Sequence, residues 1–170
     1  MNGFKIGDKA VFPGQGVTEV MGIQTQSICG STIECYVLRV LDSEKKIMVP
    51  VNNVRHVGLR GLIDGGQVDG VYEVLKDRSQ PADNETWNRR YRKYVEKIKT
   101  GSVFDVAEVL RDLYLIKYEK PLSCREREML DMSRRLLVKE LSLSSNTNEE
   151  TVNLNLDTIF PFEHAVAANA

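Results

Sequence analysis

The chain has 170 residues, 42% of them hydrophobic and 28% charged, with a formal net charge of -1 at pH 7. These values fit a soluble globular protein of one domain or two small ones, and they exclude a global attraction to nucleic acid or anionic lipid, so any basic site must be local. No window approaches the roughly 18 apolar residues of a membrane span, and the start "MNGFKIGDKAVF" lacks the apolar run of a signal peptide, so the expected location is the cytoplasm.

From Lys9 to about Val57 the chain reads as short strands broken by turns: "KAVFPGQGVTEVMGI", "ECYVLRVL" and "KKIMVPVNNV". β-branched and aromatic residues are common here, and the spacing suits antiparallel hairpins. Pro13 and Gly14 suit the two central positions of a type II turn, and "DSEKK", residues 42–46, suits a polar hairpin tip. Some fifty residues of this kind suggest a small, strongly bent β-barrel of the SH3 or Tudor type.

After "VGLRGLIDGGQ" the period changes. Val68, Val71, Tyr72 and Leu75 recur at helical spacing over residues 67–78, and "SQPADNE" then breaks the pattern as a candidate boundary. Helices are predicted near 87–99, 103–117, 123–143 and 149–160. Thr86 is placed to be the N-cap of the first of these, Ser123 with Glu126 forms a capping-box signature, and Ser102 with Asp105 is a looser one. Core faces are expected at Val106, Val109, Leu110 and Leu113, and at Met129, Met132, Leu136 and Leu143 beside Leu130, Leu137 and Leu141. The last residues are acidic and then small, which suggests a frayed end. The fold class expected is α+β in two domains, a barrel over 1–65 and a compact all-α domain over 66–170.

Charge is sorted along the chain. Residues 87–99 carry Arg89, Arg90, Arg92, Lys93, Lys97 and Lys99 against Glu96 alone, and they open on Trp87, the single tryptophan. On a helical wheel Trp87, Tyr91, Tyr94, Val95 and Ile98 share one side, and Arg89, Arg92, Lys93, Lys97 and Lys99 the other. Spacing alone therefore allows a core tryptophan with a solvated cationic face. A ring at the first helical position can also stand at the tip, where free N–H groups, the positive dipole end and adjacent arginines favour a phosphate. Such a tip would hold a nucleic-acid backbone while the indole meets a base, with little sequence specificity. An apolar wedge at a distorted step is one way to hold DNA open.

Several other chemistries find little support. "GQGVTE" has two glycines of a dinucleotide fingerprint but no third and no receiving helix, and no G-x-x-x-x-G-K-[ST] loop is present. Cys29, Cys35 and Cys124 are odd in number without a Cys-x-x-Cys pair, and His56 and His164 lie far apart, so neither a disulfide framework nor a zinc site is expected. A Cys124–His56 dyad is better explained as incidental residues, and the methionines as core filler. Asp105, Glu108 and Asp112 on one helix face are better explained by solvent or cation partners than by a metal.

The segments "FKIGDKAVFPGQGV", "YVLRVL", "IMVPVNNVRHVGLR", "WNRRYRKYVEKIKTG", "VAEVLRDLYL" and "REREMLDMSRRLLVKELSL" resemble, in order and spacing, the CarD family of bacterial transcription regulators, most closely its CdnL branch. The likeness covers residues 4 to about 145. It implies a Tudor-like barrel, similar to the polymerase-interacting module of the transcription-repair coupling factor, that binds the β subunit of RNA polymerase. The implied polymerase-facing positions are Gln26, Val37, Arg39, Met48, Val49 and Pro50. Some relatives carry arginines at the places of Gln26 and Met48, so a more apolar contact is implied here. Trp87 matches the family's wedge at the upstream edge of the promoter bubble, Arg89, Arg90 and Arg92 align with its basic patch and Arg127 with a further cation there, and Lys93 beside them is expected at the same DNA contact.

The leading expectation is a transcription regulator without enzymatic activity that docks on RNA polymerase, binds promoter DNA and stabilises the open complex, with no cofactor, metal, membrane or small-molecule substrate. One alternative is an adaptor that docks on polymerase without touching DNA. Another is an RNA-binding translation or termination module, which would need exposed strand aromatics, and only Phe12 and Tyr36 are available. Trp87→Ala and Arg90→Ala are expected to weaken fork-DNA binding under the leading reading alone.

Overall fold

A computed structural model of the chain describes residues 3–79 and 85–161. The turn expected around Pro81 and the frayed end expected beyond Pro161 lie outside the described residues. The chain divides into two compact units, Met1–Leu62 and Ile63–Ala170. The division therefore does not fall at "SQPADNE", because the helix before that stretch supplies Val68, Val71 and Leu75 to the core of the second unit.

In the first unit, β1 (Lys9–Phe12), β2 (Gly16–Ile28), β3 (Ser31–Val40), β4 (Lys46–Pro50) and β5 (Arg60–Gly61) form one antiparallel sheet in the order β4-β3-β2-β1-β5. Gln15 N–H donates to Phe12 O at 3.0 Å and Gly14 has φ 79°, as a type II turn after Pro13 requires. β2 and β3 run further than their apolar cores, through "QTQSI" and "STI", because Cys29 (φ 52°) and Gly30 (φ 81°) close a two-residue hairpin between them. Between Val20 and Gly22 the register shifts, so Met21 is an extra residue that bends β2. The expected strand "KKIMVPVNNV" stops at Pro50, which lacks the N–H to continue a ladder; Val51–Asn53 form a 3-10 turn and Val54–Val57 a short helix, α1. Ala10, Val20, Tyr36, Leu38, Val49 and Leu59 make the core of this unit.

The second unit is helical: α2 (Gly65–Lys76), α3 (Trp87–Lys99), α4 (Val103–Glu119), α5 (Cys124–Ser144) and α6 (Glu149–Ile159). α4 packs on α2, α3 and α5, and α6 packs on α5. Val109, Leu110 and Leu113 of α4 are fully enclosed, each such burial stabilising by about 1.5 to 3 kcal/mol. On α5 the buried stripe runs through Met129, Leu130, Ser133, Leu137 and Leu141; Met132 and Leu136 only flank it, and Leu143 is exposed. Ser133 can sit in that stripe because its hydroxyl donates to Met129 O at 2.8 Å. Among the described residues no helix is long and apolar enough to cross a membrane.

Candidate nucleic-acid interface

Thr86 is the N-cap of α3 by backbone geometry, but its side chain makes no capping bond. Trp87 is thus the first helical residue. Its ring is half-buried, packed against the helical core on one side and 5.3 Å from the Tyr91 ring, centroid to centroid, at an interplanar angle of 57°. Tyr94 and Ile98 follow on the buried side and Val95 is half-buried, while Tyr91 stays exposed. The expected wheel is therefore realised for the deeper positions, and Trp87 sits at the edge where core meets solvent.

Of the expected cations, Arg89, Arg92, Lys93 and Arg127 are exposed, and Arg90 is not. Arg90 Nη2 donates to Glu126 Oε1 at 3.2 Å, with the two side chains only 5% and 6% exposed. The expectation that Arg90 contacts DNA directly is corrected accordingly: its position three residues after Trp87 turns it inward with Tyr94 and Ile98, where a charge is tolerated because it is paired. Its guanidinium also lies 5.9 Å from the Trp87 ring centroid, within cation–π range.

Glu126 links this site to a second helix end. Ser123 caps α5 through a reciprocal box, its hydroxyl accepting from Glu126 N–H at 3.3 Å while Ser123 N–H donates to Glu126 Oε2 at 2.7 Å. The Arg90–Glu126 bond thereby sets the first turn of α5 against the first turn of α3, and exposed Arg127 belongs to that turn. Arg127 Nη2 lies 3.4 Å from Cys124 Sγ, and exposed Lys93 reaches the half-buried Glu85 carboxylate with its Nζ at 2.7 Å. The surface so formed presents a half-buried indole and several exposed cations, groups that can meet a polyanion carrying a stackable ring.

Asp105, Glu108 and Asp112 of α4 each have a protein partner. Asp105 accepts from Thr100 Oγ1 at 2.6 Å, Glu108 pairs with Lys97 at 2.7 Å and Asp112 with Arg111 at 3.0 Å. Burial pushes the Asp112 carboxyl up from the ordinary aspartate range, against the pull of Arg111. Among the described residues no group of three or more His, Cys, Asp and Glu could hold a metal.

On the first unit, the two positions singled out for their departure from arginine touch each other: Gln26 Nε2 lies 3.1 Å from Met48 Sδ. Met48 is exposed, and Gln26 and Pro50 are half-buried. The side chains of Val37 and Val49 are buried, Val49 in the core with Tyr36 and Leu38, so what the edge strand β4 offers a partner at Val49 is backbone. Arg39 is half-exposed but engaged, bonding Glu44 through Nη1 and Glu19 through Nη2, each at 2.9 Å. Bonds from Lys9 and Arg39 hold the Glu19 carboxyl below the ordinary glutamate range. Tyr36 faces inward, edge-on to Phe4, which leaves no aromatic stacking platform of the kind an RNA-binding barrel needs at that position.

Residues 4–63 match the family model of the CarD-like/TRCF RID domain, and residues 70–157 match that of the CarD C-terminal domain. The chain is 29% identical over 153 residues, 88% of its own length and 97% of the relative's, to a protein of Bacillus subtilis (strain 168) named "Putative transcription factor YdeB". A solved structure described as "CdnLNt from Myxoccoccus xanthus" is 52% identical in sequence and covers 37% of this chain and 89% of that chain, with a TM-score of 0.32.

Proposed function

The chain belongs to the CarD family of transcription factors, its C-terminal family model alone spanning residues 70–157, and on that premise we propose that it is a non-catalytic regulator that docks on the RNA polymerase β subunit and stabilises the open promoter complex by direct DNA contact. The observation that carries this reading is the junction of Trp87, at the first position of α3, with the exposed cations Arg89, Arg92, Lys93 and Arg127. The cations hold phosphates and the indole opposes closure of the melted step. Stacking worth about 1 to 3 kcal/mol per base, at about 1.4 kcal/mol per factor of ten, prolongs an opened state by roughly ten- to a hundredfold. That suits a regulator, which shifts an equilibrium that polymerase has set up.

Recruitment falls to the first unit. β4 is an edge strand with a partner on one side only, β3, so its outer edge can extend a sheet in another protein. Met48 beside Gln26 gives that edge an apolar, weakly polar face, while Arg39 is already held by Glu19 and Glu44. Docking raises the local concentration of a weak DNA patch near the bubble. The working place is accordingly the cytoplasm, on promoters, and a promoter with an unstable open complex gains while a very stable one is slowed at escape.

The half-burial of Trp87 against the helical core favours a second reading, in which the helical unit makes no DNA contact and the protein is an adaptor. Binding of the full chain to a fork-junction DNA separates the two. Trp87→Ala and the pair Arg89→Ala with Arg92→Ala are expected to weaken binding while the fold persists; fork binding equal to wild type in both variants would leave the adaptor.

A further inference from the structure

We propose that Glu126 is the positioning residue for Trp87, acting through the buried Arg90 guanidinium. The importance of this arrangement for transcription rests on the reading of Trp87 as the DNA-facing ring; the arrangement itself does not.

Both oxygens of the Glu126 carboxylate are committed. Oε2 accepts from Ser123 N–H at 2.7 Å and so is fixed to the start of α5, while Oε1 accepts from Arg90 Nη2 at 3.2 Å. The planar guanidinium held in this way lies 5.9 Å from the centroid of the Trp87 ring, and Tyr91 meets the same ring at 5.3 Å. The indole stands at the first helical position, behind an N-cap whose side chain makes no capping bond. Its two side-chain torsions are therefore set by lateral neighbours and by the core edge below it.

The chemistry of the pair points the same way. Two buried charges are a poor route to stability, since an apolar pair of similar volume serves a fold as well or better. They do fix a direction: a carboxylate and a planar guanidinium bond in a defined geometry, which an apolar contact does not impose. The capped end of α5 thus orients Glu126, Glu126 orients Arg90, and Arg90 bounds the Trp87 ring. The same pairing neutralises Arg90, so its part at this surface is orientation, whereas Arg89 and Arg92 remain exposed to meet phosphate.

Trp87 is the single tryptophan, so its emission reports this site alone in the full-length protein. Glu126→Gln keeps an amide oxygen for Ser123 N–H, as capping boxes allow, and removes the charge that holds Arg90. The expected result is a shift of the Trp87 emission maximum and stronger acrylamide quenching in the free protein. Where loss of the Glu126 charge beside Arg90 unfolds the domain, the double variant Arg90→Met with Glu126→Gln, which removes both charges of the pair, is expected to keep the helical circular dichroism and show the same change in emission and quenching. On fork-junction DNA, Glu126→Gln is expected to weaken binding in the wild-type background and to add nothing in the Trp87→Ala background, the non-additivity of residues that act as one unit. Emission and quenching unchanged from wild type in a folded variant would overturn the proposal, whatever the DNA result. A changed emission with fork binding indifferent to Trp87→Ala would uphold the positioning and sink the DNA reading instead.

Discussion

Arg90 and Glu126, separated by 36 residues in sequence, meet at 3.2 Å with both side chains almost wholly enclosed. The most cationic helix of the chain therefore does not offer all of its charge to a partner. Breaking one member of a buried pair strands the other, at a cost of about 3 to 5 kcal/mol, whereas an exposed surface substitution stays within about 0.5 kcal/mol. Arg90→Ala is thus expected to lower the urea midpoint of the helical unit sharply, and Arg89→Ala to leave it in place. Equal midpoints for the two variants would contradict the buried pairing.

The exposed cations predict a salt dependence. With Arg89, Arg92, Lys93 and Arg127 each meeting one phosphate, the log affinity for fork DNA falls with log salt at a slope of about -3.6, and each alanine substitution flattens it by about 0.9. Titrations across a salt series measure this directly. A slope that Arg92→Ala leaves unchanged would remove that residue from the interface.

Helix caps supply a graded stability test. Asp64 accepts from Gln67 N–H at 2.8 Å in a full capping box, Ser123 does the same for α5, and Thr86 makes no such bond. Asp64→Ala and Ser123→Ala are each expected to destabilise by about 1 kcal/mol, and Thr86→Ala by less than about 0.5 kcal/mol. Thermal melts of the three variants should keep that order; a Thr86→Ala loss as large as the others would contradict the geometry of α3.

These caps also show what was legible in the sequence and what was not. Ser123 with Glu126 three residues on is a local signature, and both halves of the box are present. The grip of Glu126 on Arg90 is a long-range contact between two helices, and nothing local announces it. Asp64 and Gln67 start α2 ahead of the expected residue 67, because "DGGQ" carries the loop signal of two glycines over a capping pattern. Polar "QTQS" hides the far half of β2, which pairing with β3 and the Cys29–Gly30 turn hold extended. The wheel found the inward course of Tyr94 and Ile98 from their apolar nature; Arg90 shares that course, and its charge concealed it.

Acid is expected to loosen the first unit through Glu19. Its carboxyl is held below the ordinary value chiefly by Lys9 and then by Arg39, so its contribution is present above the unfolded glutamate value, about 4.3, and is lost as pH falls through the lower folded value. Asp112 has the opposite sign: burial raises its carboxyl, so its ionisation weakens the fold as pH rises from the unfolded value through the raised one. Urea unfolding of Glu19→Gln across the acid range should lack the drop seen in wild type. The same drop in both proteins would assign it elsewhere.

The most direct measurement is the lifetime of RNA polymerase open complexes on a promoter with an unstable bubble, with wild-type protein, with Trp87→Ala and with no factor. The predicted result is a lifetime longer with wild type by roughly ten- to a hundredfold and returned toward the factor-free value by Trp87→Ala, while the variant still binds polymerase. Equal lifetimes with wild type and Trp87→Ala would contradict the wedge and leave Trp87 as a residue of the core edge.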